Sequence, residues 1–198
     1  MGTLKTTNIQ SISGSGTVTL GVSGETFTNA AGTTFTVSNG TMSGQMYPAF
    51  AAYLTADQTI TNATYTKVAM ANEYFDTDSA YDASTNYRFT VPTGKAGKYF
   101  LYGRLFCDSG TNSEMNSVIM AFKLNGSTYI REQSTNMASN PGRNLGLTLT
   151  AIVDLSASDY IELWVNPNDA SGNPIVDGAT VFGASGAGNE FGGYRIGA

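Results

Sequence analysis

The chain has 198 residues, 41% hydrophobic and 13% charged, with 23 glycines, one cysteine, no histidine and a net charge of −5. The missing histidine removes Ser-His-Asp and Cys-His arrangements and the commonest zinc ligand, and without a Lys/Arg cluster there is no phosphate-neutralising surface for nucleic acid or an anionic membrane. One cysteine excludes an intrachain disulfide, and no apolar run approaches the roughly 18 residues of a membrane-spanning helix. Thr, Ser, Asn and Gly are plentiful and no stretch of about 10–12 residues carries a helical period, so an all-β chain is expected. The length allows one well-buried domain plus an appendage.

Residues 1–46 read as the appendage, rich in Thr, Ser, Gly and Asn. Gly16-Thr-Val-Thr-Leu20 is echoed by Gly32-Thr-Thr-Phe-Thr-Val37. As a flexible arm this segment would leave Val18, Leu20, Val22, Phe27, Phe35 and Val37 exposed; an intertwined stalk of short strands would bury them between chains. The opening Leu4-Lys5-Thr6-x-x-Ile9-Gln10, running into Gly/Ser/Thr repeats, resembles the start of bacteriophage virion proteins. No signal-peptide core follows Lys5, so export by the usual signal is not expected.

The second unit is expected to span 47–198. Phe50, Tyr53 and Leu54 mark a first strand and Ile60 follows a turn. Thr61 to Ser84 supplies Val68, Met70, Tyr74 and Phe75 and then Asp76, Asp78 and Asp82, which resemble half of an oxygen-ligand set for Ca²⁺ or else cap turns. Between Tyr87 and Cys107 two alternating runs, Tyr87-Phe89-Val91 and Tyr99-Leu101-Gly103-Leu105-Cys107, separated by Pro92 and a Gly/Lys turn, predict a β-hairpin. Cys107 reads as a buried small hydrophobe. The opposite face of the second run carries Phe100, Tyr102 and Phe106 beside Arg104, so a second layer or another subunit must cover it.

Asp108 to Ser117 reads as an exposed loop. Val118, Met120, Phe122 and Leu124 then alternate up to Asn125-Gly126, a tight hairpin turn, with Thr128 and Ile130 returning. Arg131 to Asn144 is read as a long polar loop, and its Arg131, Glu132 and Arg143 are candidate binding residues. Leu145 to Val153 has one wholly apolar face. In the next strand Ile161, Leu163 and Val165 point inward while Tyr160, Glu162 and Trp164 point outward, which makes Tyr160 and Trp164 candidates for stacking on a sugar ring; packing against a loop or a neighbouring subunit is the alternative. Asn166 to Glu190 is a Gly/Asn/Pro-rich excursion, and Phe191 to Ile196 closes the chain with Gly192 and Gly193 where backbones approach closely.

The pattern Tyr81-Asp-x-Ser84-Thr85-x-x-x-Phe89-Thr90-Val91-Pro92, then Gly97-x-Tyr99, then Phe191-x-Gly193-Tyr194-x-Ile196, resembles the complement component 1q globular head, a relative of the tumour necrosis factor jelly roll. Pro48 to Ala56, Phe122 to Ile130 and Asp159 to Val165 support it in the same order, so that the resemblance covers residues 48–198. It departs from the family in the Pro92 to Gly97 turn and at Leu101, where an aromatic is usual. The resemblance implies a ten-strand jelly-roll sandwich assembled as a compact homotrimer, with Phe100, Tyr102, Phe106 and Tyr194 as interface candidates.

No catalytic residue is assigned. Glycoside hydrolysis by a carboxylate pair needs only two acids, but nothing marks a particular pair among the 15 present. No cofactor is expected beyond Ca²⁺ at the aspartates named above. The combined expectation is a virion protein of a bacteriophage, made in the host cytoplasm. The N-terminal segment would attach it to other virion proteins and the knob would recognise a glycan or protein of the host surface. A head fibre or capsid decoration protein and a bacterial secreted binding module are the alternatives.

Overall fold

The computed structural model describes residues 48–110, 113–137, 139–178 and 188–197, all within the unit Gly44–Ala198. The expected stalk or arm, 1–46, lies outside the described residues. Among the described residues the chain is all strand and turn, in thirteen strands instead of the expected ten; four of these are two-residue pairs: β2 (Gln58–Thr59), β3 (Thr66–Lys67), β5 (Tyr81–Asp82) and β12 (Ile175–Val176). The others are β1 (Ala49–Tyr53), β4 (Asn72–Asp76), β6 (Arg88–Thr90), β7 (Gly97–Asp108), β8 (Met115–Leu124), β9 (Thr128–Asn136), β10 (Asn144–Leu155), β11 (Tyr160–Asp169) and β13 (Glu190–Gly197).

They form two antiparallel sheets. Sheet A runs β2-β12-β7-β13-β1-β4, with β10 along the other edge of β7; sheet B runs β5-β6-β11-β8-β9, with β3 also on β11. The period-two pattern decides what faces inward. From β7 the core receives Tyr99, Leu101, Leu105 and Cys107; from β10, Leu147, Leu149 and Ala151; from sheet B, Val118, Met120, Phe122, Ile161, Leu163 and Val165. Phe50 stacks on Phe89 at 4.6 Å and on Tyr81 at 5.2 Å, with Phe191 edge-on at 5.0 Å. At Gly103 a Cβ would lie 3.0 Å from Leu163 Cδ1 and 3.2 Å from Phe122 Cε1, so the missing side chain lets the layers close at their centre. Burial pushes the Cys107 thiol up to about 12.

Three sequence expectations need correction. The Tyr87 to Cys107 hairpin does not exist: β6 pairs with β11 and β5 in sheet B, whereas β7 belongs to sheet A. Val91 N–H donates to the Asp159 carbonyl at 2.8 Å, Pro92 has no N–H to extend a ladder, and the segment from Pro92 onward carries the chain across to the opposite layer. The first part of the polar stretch from Arg131 to Asn144 is strand, since β9 runs to Asn136 against β8. Its polarity reflects an edge strand with Glu132, Gln133 and Ser134 exposed, not a loop. Likewise Met115 to Ser117 belongs to β8 instead of the preceding loop, with Met115 wholly buried. The Asn125-Gly126 turn is as expected: both residues have positive φ, 52° and 76°, and Ser127 N–H donates to the Leu124 carbonyl at 3.3 Å.

Candidate functional site

The two outer sheet faces are built differently, and the contrast defines the candidate site. On sheet A, register sets the residues side by side. Ile152 of β10, Phe100 of β7 and Tyr194 of β13 form one row; Thr150, Tyr102, Gly192 of β13, Ala51 of β1 and Phe75 of β4 form the next; Thr148, Arg104 and Glu190 form a third. Phe106 lies one step further along β7, beside Gly146.

This face is apolar and open. Ile152 is 67% exposed, Tyr74 52%, Ile196 52%, Phe75 50% and Tyr194 48%. These are the large exposed hydrophobics of the described residues, and all five belong to sheet A. Phe100 and Tyr194 meet at 5.4 Å, and Tyr53 stacks on Tyr74 at 4.3 Å. A Cβ at Gly192 would come within 2.5 Å of Tyr102 Cζ, so the Tyr102 ring lies across the glycine and flattens the centre of the face. Burial raises the Tyr102 hydroxyl above its ordinary pKa, and the Glu190 carboxylate adds to the effect. Arg104 and Glu190 form a long pair of 4.0 Å. Of the sequence candidates, Phe100, Tyr102, Phe106 and Tyr194 thus share this face. Ile152, Tyr74, Phe75 and Ile196 were missed, although an isoleucine on the otherwise polar face of β10, between Thr150 and Asp154, was a readable signal.

On sheet B the outer face satisfies itself. Lys123 of β8 and Glu162 of β11 are 8% and 4% exposed. The Lys123 ammonium lies 3.9 Å from the Trp164 ring centroid and 5.0 Å from that of Tyr65. Glu162 accepts from Lys67 Nζ at 3.0 Å and from Trp164 Nε1–H at 3.0 Å. Tyr65 O–H donates to Glu132 Oε2 at 2.8 Å, and the Arg88 guanidinium covers the Tyr160 ring at 4.0 Å. Trp164 and Tyr160 therefore each hold a cation of their own sheet against the ring. Glu132 reaches this network through Tyr65, whereas Arg143 sits at the end of sheet A, 3.5 Å from Asp108. Arg131 belongs to β9. The structure thus places Glu132 in the Trp164 network and Arg143 apart from it.

The structure does not gather the proposed calcium ligands. Asp76 accepts the Asp78 and Tyr81 N–H groups, Asp78 lies 4.0 Å from Lys95, and Asp82 accepts the Ser84, Thr85 and Asn86 N–H groups. These carboxylates close turns. Among the described residues no group of three or more acidic, histidine or cysteine side chains is arranged to hold a metal.

No protein-family model and no curated protein matches the chain. Solved structures do. The globular domain of zebrafish complement 1qA protein superposes with a TM-score of 0.51 at 14% identity, covering 76% of this chain and 98% of its own. Murine APRIL, in a crystal structure at pH 5.0, gives a TM-score of 0.52 at 11% identity, covering 75% of this chain and 98% of its own. The sandwich described above is therefore a jelly roll of the complement component 1q and tumour necrosis factor type.

Proposed function

We propose that this chain is the subunit of a homotrimeric, non-enzymatic recognition knob, with the outer face of sheet A as the contact between subunits. The observation that carries this reading is the concentration of exposed Ile152, Tyr74, Phe75, Tyr194 and Ile196 on one sheet face, while the other face neutralises its own charges. An exposed apolar patch of this kind marks an interface, and the trimer is what the family resemblance implies. Replacing Tyr102 with Asp places a charge at the centre of the face. We expect the wild type to run as a trimer in light scattering and Tyr102→Asp as a monomer or aggregate. A normal trimer from Tyr102→Asp would remove sheet A from the interface.

The knob's task, in this reading, is host recognition on a bacteriophage particle, with the N-terminal 46 residues as the attachment segment. The phage-like opening motif at Leu4 to Gln10 supports it, and a trimer would convert weak contacts into avidity. Purified trimer incubated with host cells before phage addition is expected to protect them in a dose-dependent way. Absence of both binding and protection would favour a head fibre or capsid decoration role.

A further inference from the structure

Sheet A is extended at one end by the two-residue strands β2 and β12, and the register there sets two aspartates face to face. Ile175 pairs with Thr59 and Val176 with Gln58, so the next position along the ladder puts Asp177 opposite Asp57. Ile60 N–H donates to the Pro174 carbonyl at 2.8 Å. Counting in twos from that bond makes Asp57 and Asp177 a non-hydrogen-bonded pair, the kind in which side chains come closest, with Cβ atoms about 5 Å apart. Both are held in place. Asp57 Oδ1 accepts the Gly178 N–H at 2.8 Å, and Asp177 N–H donates to the Phe106 carbonyl of β7 at 2.9 Å. The wholly buried Asn189 bridges the same step, donating to the Asp177 carbonyl and accepting the Phe106 N–H.

Like charges directly opposite one another on two strands repel. The neighbouring elements add to the repulsion. Asp108 of β7 pairs with Ile175 and so lies diagonally across from Asp177, and the nearby Arg143 is held by Asp108 at 3.5 Å. Further along β7, Arg104 is paired with Glu190 of β13 at 4.0 Å. Among the described residues neither Asp57 nor Asp177 has an ion pair with lysine or arginine. Burial, the charges of Asp57 and Asp108 and a hydrogen bond with Asp57 raise the Asp177 carboxyl above its ordinary value.

We propose that Asp57 and Asp177 form a proton-operated clasp between β2 and β12. In acid, one proton carried by Asp177 is donated to the Asp57 carboxylate and joins the two strands side chain to side chain. When that proton is lost to water, two charges face one another and the clasp loosens. Closure fixes the point at which the chain leaves β12 toward β13. The device needs no second subunit and stands or falls independently of the trimer.

A carboxyl whose folded pKa is raised contributes stability that is present below the unfolded value, about 4, and lost as pH rises through the folded one. Asp177→Asn keeps a donor and removes the charge. At fixed protein concentration it should raise the unfolding midpoint of the full chain by about 2–4 °C at neutral pH, and the gain should vanish by about pH 4. Asp57→Asn should act in the same direction, and the double variant should gain no more than either alone. Hydrogen exchange reads the clasp itself: relative to its intrinsic rate, the Gly178 amide of the wild type should be about fivefold better protected in acid than at neutral pH, and equally protected at both in Asp177→Asn. Should Asp177→Asn fold poorly, Asp57→Asn carries the same comparison. A gain that is the same in acid and at neutral pH, or a loss at neutral pH, would overturn the clasp, as would wild-type Gly178 protection that does not change with pH.

Discussion

Asp82 uses both carboxylate oxygens to close one turn. Oδ1 accepts the Thr85 N–H at 2.9 Å and the Ser84 N–H at 3.0 Å; Oδ2 accepts the Asn86 N–H at 3.2 Å and its side-chain amide at 2.6 Å. These bonds, Thr85 first and Ser84 next, hold its pKa well below the ordinary 3.8. A carboxylate depressed on folding adds stability that is complete above the unfolded value and fades as pH falls toward the lower folded one. Asp82→Ala should therefore cost about 1 kcal/mol at neutral pH, as for a lost cap. The gap between wild type and variant in urea unfolding should narrow progressively below about pH 4. A gap unchanged at the lowest pH would show that the charged carboxylate does not hold the turn. The aspartate's role was visible in the sequence as one of two readings, because an Asp followed by Ser and Thr makes its bonds locally. The burial of Glu162 is not visible in the sequence, because its charge partner Lys67 comes from a distant strand, β3.

At the level of elements, alternation revealed strands and their inward faces, Leu147-Leu149-Ala151 and Ile161-Leu163-Val165 among them, but not their partners. Two adjacent alternating runs look like a hairpin whether they pair with each other or, as β6 and β7 do, belong to opposite layers. The part of β9 from Arg131 onward reads as a loop in the sequence because an edge strand needs no apolar alternation. Pairing also creates the network over sheet B, where β3, β8 and β11 bring Lys67, Lys123, Glu162 and Trp164 together. Removing one partner of such a buried set leaves a charge without its counterpart. Glu162→Gln should thus lower unfolding free energy by about 1–2 kcal/mol, since Lys67 stays partly open to water, and shift Trp164 fluorescence, with the oligomeric state unchanged. A near-neutral effect on denaturant unfolding would mean that water replaces the carboxylate at little cost.

For the molecule as a whole, the two layers present one self-satisfied face and one open face, and a trimer would close if two different patches of that open face met around a threefold axis. If the apolar area of sheet A is covered only when subunits meet, folding and assembly are linked, and the unfolding midpoint depends on protein concentration. We expect the wild-type midpoint to rise by several degrees over a hundredfold increase in concentration, while Tyr102→Asp, if it folds as a monomer, unfolds at a lower temperature that concentration does not change. The Glu162→Gln variant separates the two faces: destabilised at every concentration, it should keep the wild-type concentration dependence. A wild-type midpoint independent of concentration, with a monomer mass across the same range, would mean that sheet A's open face serves a partner other than a second copy of this chain. Tyr102→Asp would then be the variant with which to look for the lost partner.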